Sequence, residues 1–284
     1  MDGLTELLAC IQDISGGNYS NDIMELTKDG YDPYVREIAE SVGLMMVKIE
    51  GREFALEQAY DDLKSNIVNT VKATARGLSL RDKYTRGHGE RVGRYAHRLA
   101  LSAGFSEEDV WTVGLAGILH DIGKIGFSDK LFFNEDVRVD DEMLAEIRQH
   151  PESGFRMLRG LKFLGPALDY VRSHHERLDG TGYPNALKGD EIPMGARILS
   201  IVDVFDALTT TRSYQEAKSL DKAFGILRKL AGPSLDPELV EIFIKEIEEN
   251  GLEVVEEEFS TCTDKEGLSK PACSYLPDPK SSDL

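Results

Sequence analysis

The stretch Trp111–Leu119 is apolar almost throughout and ends in His120-Asp121, with Ile122-Gly123-Lys124 after it. A helix apolar on most sides belongs in a protein interior. A histidine and a carboxylate at the end of such a helix are costly to bury unless something compensates them. The chain has six histidines, and five of them fall where a bound metal would supply that compensation. Neutral imidazoles together with aspartates suit Mn, Fe or Zn, and the thiols are too few for a zinc finger.

Each of these residues also has a plainer reading. His88 shares a helical face with Val92, Tyr95, Ala96 and Leu99, where a histidine is more often a packed core residue. His97 falls about 180° round from His88, so it is expected to face outward and is left out of the site. His150 ends the stripe Met143, Leu144, Ile147, and Pro151 biases it out of the α region. That spacing predicts a helix junction, with the ring either in a cleft or beside a surface N-cap. His174-His175 close a helix over residues 167–173, and neighbours about 100° apart can reach one cavity. Two adjacent imidazoles lean toward a metal. Asp203 interrupts the apolar run around Ile198–Phe205, and a carboxylate buried there must be paired, hydrogen-bonded or bound to metal. Arg197 or Arg212 could pair with it. Asp206 follows three residues later on the same face.

The remaining pattern is helical from about residue 60 to 250, with little strand-like alternation. Asp236-Pro237-Glu238 reads as an N-cap, and Gly104 and Gly232 as C-cap glycines. Residues 1–64 are expected to form an N-terminal helical signalling and dimerisation region. Leu4, Leu7, Ile11 and Ile14 precede a glycine break at Gly16-Gly17. Ile38, Val42, Met45 and Ile49 then step as in a coiled-coil seam, with one amphipathic helix packed on its own domain as the alternative. Residues 65–257 form the main domain, and 258–284 a polar tail expected to be disordered.

A net charge of -18 argues against a broad nucleic-acid surface. No apolar run reaches the roughly 18 residues of a membrane span. Cys10, Cys262 and Cys273 are scattered and odd in number, which fits a cytoplasmic protein.

The order His88, His120-Asp121, His150, His174-His175, Asp203 resembles the HD superfamily of metal-dependent phosphohydrolases. His174-His175-Glu176-Arg177-Leu178-Asp179-Gly180-Thr181-Gly182-Tyr183-Pro184 is similar to the signature of HD-GYP domains, a family of cyclic di-GMP phosphodiesterases. Residues 84–88, 196–209 and 235–239 match the same family. The glycine break between N-terminal helices resembles a HAMP-type module.

The resemblance implies an all-α, HD-type helical bundle that hydrolyses a cyclic dinucleotide to its linear form. It implies two divalent ions, Fe or Mn. His88, His120, Asp121 and Asp203 would hold one, and Asp121, His150, His174 and His175 the other. Lys124 would touch the scissile phosphate, and Arg212 and Gln215 would lie at the substrate. Asp206 would contact the nucleotide or orient a water. Some family members have a glutamate where Tyr84 stands and hold a third ion, so Tyr84 implies two. Gln215 replaces a cation of the family, which leaves open a nucleotide sensor with little turnover and a preference for a hybrid guanine–adenine ring. Gly180 and Gly182 are expected to turn the loop sharply. Gly182-Tyr183-Pro184 would offer a surface to a diguanylate cyclase domain. The homodimer is expected from the Ile38, Val42, Met45, Ile49 seam.

Overall fold

The computed structural model describes residues 3–81, 87–129, 131, 140–211 and 216–252. Tyr84, Arg212, Gln215 and the predicted tail with Cys262 and Cys273 lie outside them. Among the described residues the chain is all-α, and the only β-type pairings are isolated bridges such as Ala231 with Leu235. No described helix is long and apolar enough to cross a membrane. The chain divides into two compact units, residues 1–65 and 66–284.

The first unit holds α1 (Gly3–Ser15), a short turn Asn21–Thr27 and the first part of α2 (Pro33–Arg81). Leu7, Ile23, Leu26, Val35, Ala39 and Met46 form its core, with Val42 packed against them. The stripe that meets this core is therefore Val35, Ala39, Val42, Met46. The predicted seam shares only Val42 with it. Ile38 and Met45 lie on the neighbouring edge of α2, 44% and 51% exposed.

The second unit is a bundle of α3 (His88–Ser102), α4 (Glu107–Leu119), α5 (Asp141–Leu158), α6 (Ala167–Ser173), α7 (Met194–Thr209), α8 (Leu220–Leu230) and α9 (Pro237–Asn250). α7 is central because its sequence is apolar on almost every side: Ile198, Leu199, Ile201, Val202 and Phe205 are all buried. Phe205 meets Tyr95 of α3 and Phe243 of α9 edge-on, at centroid distances of 5.4 and 4.9 Å. Helix starts are fixed by side-chain caps. Ser106 accepts from the Asp109 N–H, Asp140 from Met143, and Asp236 from Glu238 and Leu239. Each cap stabilises by roughly 1 kcal/mol.

Two expectations need correction. α5 does not stop at His150 but continues through Pro151 to Leu158. His97 is half-buried rather than outward. α3 is covered on more than one side, as the buried Arg98 bonded to Glu246 of α9 also shows.

Candidate metal centre

Three histidines share one backbone device. Nδ1 of His120 donates to the Gly117 carbonyl, that of His150 to Ile147 and that of His174 to Val171, each at 2.7 Å. His120 and His174 cap the C-terminal ends of α4 and α6, where helix carbonyls lack partners. His150 finds the same partner in mid-helix because Pro151 has no N–H to give Ile147. This is how α5 passes through the proline. A carbonyl only accepts, so Nδ1 carries the proton in all three rings and Nε2 presents a bare lone pair.

Those Nε2 atoms converge. His150 Nε2 lies 3.2 Å from His174 Nε2. Two lone pairs at that distance repel, whereas nitrogens about 2.1 Å from one metal sit about 3.0–3.4 Å apart. His175 packs against both, at centroid distances of 5.0 Å from His150 and 4.1 Å from His174. Beside them, His88 Nε2 is 3.2 Å from Asp203 and 3.7 Å from Asp121, and His120 Nε2 is 3.4 Å from Asp121. Asp121 turns its other oxygen to His150 Nε2, at 3.4 Å. Ligand atoms of His150, His174 and His175 lie within 4.8 Å of one another, as do those of His88, His120 and Asp203, and those of His120, Asp121 and His174. The seven residues thus form one buried centre, and its donor set fits divalent cations.

The charges are set for cations as well. Burial would raise the Asp121 carboxyl, but Lys124, then His120, His150 and His88, pull it well below the usual carboxylate range. Lys124 Nζ sits 2.6 Å from Asp121. Asp203 is likewise held low against burial, by His88 first. Burial pushes His150 down to about 3 and His175 to about 4, and lowers His174. These rings stay neutral through the physiological range.

His88 behaves differently. Burial works to lower it, but hydrogen bonds to Asp203 and Asp206 lift it from 6.5 to about 9. The metal-free protein therefore holds a proton on His88 at neutral pH. The stability this adds is present in full below pH 6.5 and is lost as pH rises through about 9. Affinity for a metal at His88 runs the opposite way, since the ion competes with the proton. Calorimetric titration with Mn at pH 7.5, in two buffers of different ionisation enthalpy, should report release of about one proton per chain. No release would remove His88 from the ligands or show it already neutral.

Asp206 is not where the family resemblance puts it. Its side chain is 1% exposed and is taken up by protein partners. One oxygen accepts from His88 Nδ1 at 2.7 Å, and Arg91 Nε and Nη2 grip the carboxylate at 2.6 and 2.9 Å. Burial of the carboxylate requires these partners, so Asp206 orients the His88 ring from behind. Asp206→Asn should lower affinity for divalent metal about 10- to 100-fold, the range for such outer partners. Competition with a chelator measures it, and an unchanged affinity would contradict the role. Arg197, offered as a partner for Asp203, instead ties Asp190, Asp236 and the carbonyls of Gly189 and Ile192 together.

The loop after the histidine pair is pinned by Glu176. Its carboxylate, 2% exposed, accepts from the backbone N–H of Asn185 and Leu187 at 2.6 and 3.0 Å. Gly180 has φ of 78°, as a tight turn requires. Gly182 is needed for a different reason than turning. A Cβ there would come within 2.4 Å of the Glu176 Cα. Tyr183 is thereby laid against the His175 ring, 4.9 Å between centroids. Sequence reasoning gave no role to Glu176 or Arg91. Their partners lie 9 to 115 residues away, and no local pattern marks them.

A buried histidine–aspartate centre carried on helix ends defines a class of protein, and comparison with known families agrees. The HD domain model matches residues 72–239. The chain belongs to the HD-domain family, among members carrying the HD-GYP motifs. It is 33% identical to a cyclic di-GMP phosphodiesterase response regulator of Xanthomonas campestris, over 82% of this chain and 61% of that protein. It is 35% identical to a cyclic di-GMP phosphodiesterase of Thermotoga maritima, over 71% of this chain and 54% of that protein. The chain thus spans little more than half the length of these relatives. The fold resembles the crystal structure of a cyclic GMP-AMP specific phosphodiesterase from Vibrio cholerae, with a TM-score of 0.52 at 18% identity, over 65% of this chain and 49% of that one.

Proposed function

We propose that this chain is a metal-dependent phosphodiesterase that opens a 3′,5′-cyclic dinucleotide, cyclic di-GMP first, to its linear form. The observation that carries the reading is the facing pair of bare nitrogens on His150 and His174, 3.2 Å apart beside two aspartates. His88, His120, Asp121 and Asp203 hold one divalent ion, and Asp121, His150, His174 and His175 hold a second. Fe and Mn suit this imidazole–carboxylate set. When bound, the ions lower the pKa of a water and draw charge from the phosphate oxygens. Lys124 adds a cation where negative charge develops. Burial keeps the ligating rings neutral, and Asp206 with Arg91 fixes the His88 ring.

The substrate class comes from the named relatives, and the Gly182-Tyr183-Pro184 loop is a surface for a diguanylate cyclase domain. The exposed Ile38 and Met45 edge of α2 supports a homodimer, in which the first unit passes on a signal.

The test is turnover by anaerobically purified protein, supplied with Mn or Fe, against cyclic di-GMP, cyclic GMP-AMP and cyclic di-AMP. The linear dinucleotide should accumulate ahead of mononucleotide. Binding without cleavage would replace the enzyme with a sensor, the reading that Gln215 leaves open.

A further inference from the structure

The two members of the histidine pair are held in different ways. The His174 ring is fixed by its Nδ1 bond to the Val171 carbonyl. Among the described residues none hydrogen-bonds the His175 ring, which packs against the rings of His150, His174 and Tyr183. Its direction therefore depends on its backbone. The His175 carbonyl accepts from the Tyr183 N–H at 3.2 Å. The peptide on its other side is held from α7, where the buried Ser200 hydroxyl donates to the His174 carbonyl at 2.5 Å.

That carbonyl needs a donor from outside its own helix. His174 follows the last residue of α6, where helix carbonyls lack partners. The amide four residues on, that of Leu178, turns instead to the Ser234 carbonyl. Ser200 has a second acceptor within reach, the Ala196 carbonyl of its own helix at 3.0 Å, and a serine in a helix often bonds back in this way. The Ala196 carbonyl, however, already receives the Ser200 N–H in the α-helical pattern. A hydroxyl carries one proton, and the shorter bond, to a carbonyl that would otherwise be buried unpaired, is the one that matters for stability. Ser200 also stands three residues before Asp203, on the same face of α7. One helix face thus carries a carboxylate of the group around His88 and the hydroxyl that holds the histidine pair.

We propose that Ser200 is a positioning residue for the ion bound by His150, His174 and His175, and that it acts by fixing the peptide between His174 and His175. The inference rests on the two-ion reading and deepens it. Ser200 is not itself a ligand. A ring without a hydrogen bond of its own takes its direction from the backbone that carries it, so rotation of this peptide moves the His175 ring nitrogens most. Partners that orient metal ligands in this way matter nearly as much as the ligands. His88 and His120 are oriented by Asp206 and the Gly117 carbonyl, and neither depends on Ser200. Loss of the hydroxyl therefore falls on one ion of the two.

Full-length Ser200→Ala and Ser200→Thr proteins test this, with Mn alone as the probe. Competition with a chelator gives the affinities, and crystals grown at limiting Mn give the occupancy of each ion from its anomalous peak. Melting curves of the metal-free proteins check folding. In Ser200→Ala one bound ion should weaken about 10-fold, the lower end of the range for partners of metal ligands. The peak against His150, His174 and His175 should fall, while the peak against His88, His120 and Asp203 holds. Ser200→Thr, which keeps the hydroxyl, should bind both ions as the wild type does. Unchanged affinities in Ser200→Ala would overturn the proposal and leave the hydroxyl bonded within α7. Equal weakening of both ions would overturn it as well, showing a serine that only supports the packing of α6 on α7. A wild-type protein that binds no Mn would overturn the two-ion reading itself, a failure that shows before any substitution is made.

Discussion

Replacing His120 and Asp121 together with alanine should abolish turnover, by more than about 10³-fold, and empty the centre of metal. His120 Nε2 belongs to the group with His88 and Asp203 and also to the group with Asp121 and His174. Asp121 faces His88 and His120 with one oxygen and His150 with the other. Asp121 also pairs with the Lys124 ammonium at 2.6 Å, so the variant removes that ion pair. Metal content by elemental analysis and initial rates on a cyclic dinucleotide read the outcome. A double variant that still cleaved at the wild-type rate would end the hydrolase mechanism.

Gly123→Ala should be the most destabilising single methyl that can be added next to the centre. A Cβ on Gly123 would lie 2.0 Å from the His150 carbonyl oxygen and 2.6 Å from the Gly154 nitrogen. Both are backbone atoms of α5, so no side chain can swing aside. Either the turn Ile122–Gly126 or the helix carrying His150 must move. Overpacking of this kind costs about 3 kcal/mol or more, which lowers the melting temperature by roughly 6–12 °C in a domain of this size. Gly126→Ala is the matched control, because a Cβ there meets nothing within 4 Å, and it should shift stability by less than about 0.5 kcal/mol. Thermal unfolding of the metal-free proteins separates the two. Equal melting temperatures would mean that turn and helix do not approach so closely.

The parts of this centre that are legible in the sequence are those whose burial is costly in isolation. His120 and His174 stand at the ends of apolar helical runs, and Asp203 interrupts one. Any reading of helical period brings out the problem each poses. The helix start at Asp236 is legible because capping is local. His150 was harder. A proline next door predicts a break, but the ring itself supplies the bond that Pro151 cannot, and that depends on the side chain's conformation. The N-terminal stripe shows the same difficulty. Two adjacent faces of α2 carry apolar residues, and only the position of Leu7 and Ile23 decides which is covered. Asp206, Arg91 and Glu176 act through partners brought near by the tertiary fold, so their roles could not be read from spacing.

The central claim is that His88, His120, Asp121, His150, His174, His175 and Asp203 hold metal in one centre. A crystal of the Mn- or Fe-loaded protein, with diffraction recorded on either side of the metal's absorption edge, tests it most directly. The expected map has two anomalous peaks on either side of Asp121, one against His88, His120 and Asp203 and the other against His150, His174 and His175. Peaks elsewhere, or a fully loaded protein with either group of histidines left bare, would contradict it.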